Sequence, residues 1–146
     1  MAYVPFERSF PPLLVAPSLA RRATATWLGD RGVPPATVDD VLIVVSELVA
    51  NGVLHGGDAD ITLRIDIDGD DVSVAVSTAP ATPGGPQASR TEPTETGRGL
   101  TMVAACCEAV DVLRETSGRR RASCRISMRR SRAGAAGPTR SDGVNA

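Results

Sequence analysis

From Val38 onward the apolar residues Val38, Val41, Leu42, Val45, Leu48 and Val49 recur at i, i+3, i+4 and i+7, a spacing that predicts one long amphipathic helix. Thr37-Val38-Asp39-Asp40 resembles a capping box with Asp in the place of Glu, and Gly56-Gly57 supplies the stop. Directly afterwards Ile61, Leu63, Ile65 and Ile67 alternate with Thr62, Arg64 and Asp66, and Val72, Val74 and Val76 alternate with Ser73 and Ala75, around Asp68-Gly69-Asp70. Period two on both sides of a glycine-containing turn predicts an antiparallel hairpin with one apolar face. A helix with one apolar stripe and strands with one apolar face cover each other by stacking, so a helix layer on a sheet is expected.

The rest of the chain fits around that unit. Residues 1–17 are rich in proline and carry Tyr3, Phe6 and Phe10, which reads as an extended arm pinned by its aromatics, with Glu7 to Phe10 adding at most a short edge strand. Ser18 is placed to cap a helix carrying Ala20, Ala23, Trp27 and Leu28 and ending at Gly29. Residues 78–96 mix Pro, Gly and Thr without periodicity, and so long a loop inside a compact domain reads as a lid. Gly97-Arg98-Gly99-Leu100 opens a third helix to about Ala109, then Val110 to Leu113 and Ala122 to Met128 read as strands, and 129–146 reads as a disordered tail. The expectation is one domain over 18–128, an α/β (α+β) two-layer sandwich. Its mainly antiparallel sheet would hold about four strands, with the helices on one face.

Composition removes several kinds of chemistry. All 16 basic residues are Arg, which excludes a phosphate-loop lysine, a Schiff-base lysine and a Ser-x-x-Lys nucleophile. A single His55, and Cys106, Cys107 and Cys124 without a Cys-x-x-Cys pair, argue against zinc; the odd cysteine count argues against a structural disulfide. Net charge −1 with few aromatics argues against a general nucleic-acid surface. The Arg119 to Arg132 segment is a local exception, better suited to an acidic protein than to nucleic acid. The longest aliphatic run, Val41 to Val45, is far shorter than the ~20 residues of a membrane span, and the first residues lack a signal-peptide core. No membrane association and a cytoplasmic location are therefore expected.

Two features carry chemistry. Glu47, Asn51 and His55 are spaced i, i+4 and i+8, so they share a stripe offset from the apolar one. Asn is a weak helix former, and its amide oxygen suits Mg²⁺, which is held by one or two protein groups plus substrate phosphates. Glu47, one turn away, can orient and deprotonate a hydroxyl or water attacking a terminal phosphate. His55, in the last turn, complements the helix dipole as a structural group or reaches phosphate or lid. Gly97-Arg98-Gly99 before a helix lets backbone N–H groups approach phosphate, with Arg98 adding a charge-assisted contact.

In this order, with a hairpin and a lid between them, the two features resemble the GHKL (histidine kinase/Hsp90-like) ATP-binding domain, within it the small bacterial anti-sigma-factor serine/threonine kinases. Ser46-Glu47-Leu48-Val49-Ala50-Asn51-Gly52-Val53-Leu54-His55-Gly56 resembles that family's N-box, and Gly97-Arg98-Gly99-Leu100-Thr101-Met102-Val103 its second glycine box. The Ala20-Arg21-Arg22 helix and the Phe10-Pro11-Pro12 arm are also similar. The resemblance implies a Bergerat-like fold and ATP with Mg²⁺ as cofactors. It implies Glu47 as catalytic base, Asn51 as Mg²⁺ ligand, and Gly97, Arg98, Gly99 and Leu100 as phosphate binders. It also implies a sigma factor and an anti-anti-sigma protein as partners, the latter phosphorylated on Ser or Thr, and a homodimer. At the end of the strand before the lid the family has an Asp that receives the adenine amine; Ser77 stands there in this alignment, and the accompanying glycines are absent. A second reading is therefore a non-catalytic protein-binding module with a degenerate adenine site.

Overall fold

The structure is a computed structural model that describes residues 4–79, 103, 105–107 and 109–129. The elements follow as β1 (Phe6–Phe10), α1 (Ala16–Asp30), α2 (Pro35–His55), β2 (Ile61–Asp68), β3 (Asp71–Thr78), β4 (Ala109–Arg114) and β5 (Arg120–Ser127). Val103, Ala105 and Cys106 are helical. The remainder of the expected third helix, residues 80–96 of the expected lid, Gly97 to Leu100, and the tail after Arg129 lie outside the described residues.

The five strands form one sheet in the order β1-β2-β3-β5-β4, and every pairing is antiparallel. Hairpin β2–β3 turns through Gly69, whose φ of 58° lies where side chains strain the backbone. Alternation then sorts the sheet into two faces. Phe10, Ile61, Leu63, Ile65, Val72, Val74, Val76, Cys124 and Ile126 are buried on the face that meets Ala20 and Leu28 of α1 and Val41, Val44, Val45, Leu48 and Val49 of α2. The fold is thus the expected two-layer α+β sandwich, with β1 as a fifth strand.

The arm is pinned by aromatic contact, as its composition implied. The Phe6 and Trp27 rings lie 5.9 Å apart, and Arg31 stacks 3.9 Å over Trp27 while donating to its carbonyl. Both expected helix caps differ. α2 begins at Pro35 after Pro34, with no side-chain cap, and Thr37 is fully buried with its hydroxyl unpartnered. Proline lacks an N–H and has its φ preset for a first helical turn, so the Pro34-Pro35 pair starts the helix ahead of the expected box. α1 likewise starts at Ala16 with proline in its first turn, ahead of Ser18, and runs one residue past Gly29.

The cysteines depart furthest from expectation. Cys107 and Cys124 form a disulfide, and Cys106 is the cysteine outside that bridge. The odd count counselled against any bridge, but Cys107 follows directly on the helical Cys106, and Cys124 is the residue of β5 facing that side. Their Cα atoms come within 6.1 Å, inside the span a bridge can close.

Candidate functional site

The C-terminal half of α2 lies across the sheet with Val44, Val45, Leu48, Val49 and Gly52 buried beneath it. Glu47 and Asn51 are half-buried on the edge of that contact, and His55 is exposed at the end. A rise of about 1.5 Å per residue places the three roughly 6 Å apart in succession. Neither Glu47 nor Asn51 makes a hydrogen bond or ion pair among the described residues. An amide oxygen beside a carboxylate fits an oxygen ligand for a hard cation next to a base.

Two glycines let this end of α2 lie directly on the end of β3. A Cβ on Gly52 would sit 2.8 Å from the Thr78 methyl and 3.3 Å from Ile61. One on Gly56 would collide with the Gly52 carbonyl oxygen, which accepts the Gly56 N–H at 2.9 Å. Gly57 N–H then donates to Ala79 O at 3.3 Å, tying the loop after α2 to the outgoing end of β3. Thr78 is therefore the β3 side chain beneath Asn51's neighbour, Gly52.

Ser77 lies elsewhere. Val72, Val74 and Val76 point to the helices, so Ser77 points to the opposite face, paired with Thr62 on β2 and Arg121 on β5. There it lines a shallow depression of ≈ 400 Å³ with Glu7, Thr62, Arg64, Ala75 and Arg121. The structure brings Glu47 and Asn51 to one edge with Thr78, and it does not bring Ser77 to them. The signal was present in the period-two run, which continues from Val76 to Thr78.

Strand β5 completes the same end. Arg119 donates to the carbonyls of Ser77 and Asp60, each at 3.4 Å, anchoring the start of β5. Arg120 pairs directly with Thr78 on one side and with Arg114 of β4 on the other. Thr78, Arg120 and Arg114 thus form a cross-strand row on the face that carries α2.

Among the described residues, two long helices on one face of an antiparallel sheet, with a polar edge on the second, are consistent with a GHKL-like domain. Residues 10–125 match the histidine kinase-like ATPase domain family, and the chain belongs to it. Among solved structures, the RsbU and RsbW domains of Rv1364c from Mycobacterium tuberculosis superpose with a TM-score of 0.66 at 18% identity, covering 86% of this chain and 32% of that one. The SiaB-SiaC complex from Pseudomonas aeruginosa superposes with a TM-score of 0.56 at 17% identity, covering 83% and 88%. At these identities the likeness is one of fold. No curated protein sequence matches the chain. No described helix is long and apolar enough to cross a membrane.

Proposed function

We propose that this chain is a nucleotide-binding regulator of the anti-sigma-factor kinase type. The observation that carries the reading is the pair of half-buried oxygen-bearing side chains, Glu47 and Asn51, unpartnered among the described residues, on the edge of α2 in a histidine kinase-like ATPase fold. Asn51 would hold Mg²⁺ against the phosphates of a nucleoside triphosphate, ATP being the one the family implies; the bound ion would neutralise charge on the transferred group. Glu47 accepts the proton of a Ser or Thr hydroxyl on the partner as its oxygen bonds to the γ-phosphorus and the bond to the β–γ bridging oxygen breaks. Gly97, Arg98, Gly99 and Leu100 would cradle the phosphates.

The partners in this reading are an anti-anti-sigma protein, which is phosphorylated, and a sigma factor, which is sequestered. The fold shared with an RsbW domain and with SiaB in its complex with SiaC supports partners of these kinds. A homodimer and a cytoplasmic setting belong to the same proposal. The second reading, a non-catalytic protein-binding module, is favoured by one observation: neither Ser77 nor Thr78 at the end of β3 is a carboxylate.

Transfer of label from a γ-labelled nucleoside triphosphate to the Ser or Thr of an anti-anti-sigma domain tests the kinase reading. The wild type labels the partner, and Glu47→Ala binds nucleotide but transfers about 100-fold or more slowly. Nucleotide binding without transfer by the wild type would favour the binding module.

A further inference from the structure

The row Thr78, Arg120 and Arg114 sets the polarity of one end of the proposed nucleotide site. Thr78 is the last β3 side chain on the α2 face, pressed under Gly52. Directly opposed residues on adjacent strands have Cβ atoms about 5 Å apart, so the Arg120 stem easily spans the gap to whatever lies over Thr78. Like charges directly opposed across strands are destabilising, yet Arg120 faces Arg114. Neither of them makes an ion pair or hydrogen bond among the described residues. Their neighbour Arg119 is different: its guanidinium is engaged by the Ser77 and Asp60 carbonyls. A guanidinium only donates, and a threonine hydroxyl donates one bond and can also accept. The row itself therefore presents donors and holds no carboxylate.

We infer that it takes a 6-oxopurine nucleotide, with a guanine or hypoxanthine ring, in preference to a 6-aminopurine. O6 and N7 of such a ring are adjacent acceptors that one guanidinium bonds in bidentate fashion. A 6-amino group in the same place sets donor against donor. Arg120 is the specificity-determining residue, and Thr78 supplies the adaptable hydroxyl beside it. This rests on the nucleotide-binding reading of α2, and the two fail in different ways.

The experiment is calorimetric titration of the full chain with the Mg²⁺ complexes of GTP, ITP and ATP. GTP and ITP should each bind about 5- to 150-fold more tightly than ATP; ITP, lacking the 2-amino group, isolates the 6-oxo contribution. Arg120→Ala, at an exposed position, should bring GTP and ITP to the ATP level, with Arg120→Gln as a second variant that keeps the stem. Thr78→Asp should reverse the order. ATP binding as tightly as GTP and ITP, or a preference that survives both Arg120 variants, overturns the inference and leaves the nucleotide site standing. No binding of any of the three overturns both.

Discussion

At the residue scale, one step along β3 decides which side chain meets the helix layer. Adjacent residues of a strand point to opposite faces, so Ser77 and Thr78 belong to different surfaces of the molecule. Ser77→Asp should leave nucleotide affinity within about twofold, because the new carboxylate joins Arg64 and Arg121 around the depression on the other face. A large change in affinity on titration would mean that β3 has another register. The position was legible in the sequence, since Val72, Val74 and Val76 set the phase. The sequence match sets Ser77 against the family's Asp, and the phase of the run puts Thr78 on the α2 face in its place. Glu47 and Asn51, by contrast, were legible because an i, i+4 pair on a helix shares a stripe wherever the helix sits. The pairing of Arg120 with Thr78 was not legible, since no sequence rule specifies which residues of a distant strand lie opposite β3.

At the scale of the element, α2 is shaped by what it lacks at its C-terminal end. Gly52 costs the helix about 1 kcal/mol relative to alanine, and the close approach of Thr78 accounts for its presence. Gly52→Val should destabilise the protein by about 1–3 kcal/mol in a denaturant midpoint, through overpacking against the Thr78 methyl and Ile61. Adding Thr78→Ser, which removes that methyl, should recover part of the loss. Strict additivity in this double-mutant cycle would contradict the contact. The element's existence was legible from its apolar period, and its start was not. Thr37 offered a cap signal, but Pro34-Pro35 dictates the backbone before a threonine hydroxyl can act.

At the scale of the whole molecule, the sheet order brings together parts of the chain that local patterns treat separately. β5 inserts between β3 and β4, which carries Cys124 beneath the helical turn ending at Cys107, 17 residues away in sequence. Cysteine spacing alone does not determine such a meeting, and the bridge was missed for that reason. Closing a loop of this size stabilises by about 3 kcal/mol in the chain-entropy account. Reduction should therefore lower stability by roughly that amount, in a denaturant midpoint taken with and without dithiothreitol. Thiol titration of the unfolded, unreduced protein should count Cys106 alone, and all three cysteines after reduction. Three thiols before reduction would show the pair to be unbridged in solution.

Asn51 is where the proposed metal-dependent nucleotide site on the edge of α2 can be separated from mere fold. Asn51→Ala replaces a weak helix former by the best one and removes no hydrogen bond among the described residues, so stability should hold or rise by about 0.5 kcal/mol. Calorimetric titration with GTP and ATP, each with Mg²⁺ and with EDTA, on the wild type and on Asn51→Ala, is the direct measurement. The wild type should bind at least one nucleotide with an affinity that falls at least about 10-fold in EDTA, and Asn51→Ala, still folded by circular dichroism, should bind equally weakly with and without the metal. Equal Mg²⁺-dependent binding by both proteins would remove Asn51, and with it the edge of α2, from the metal site.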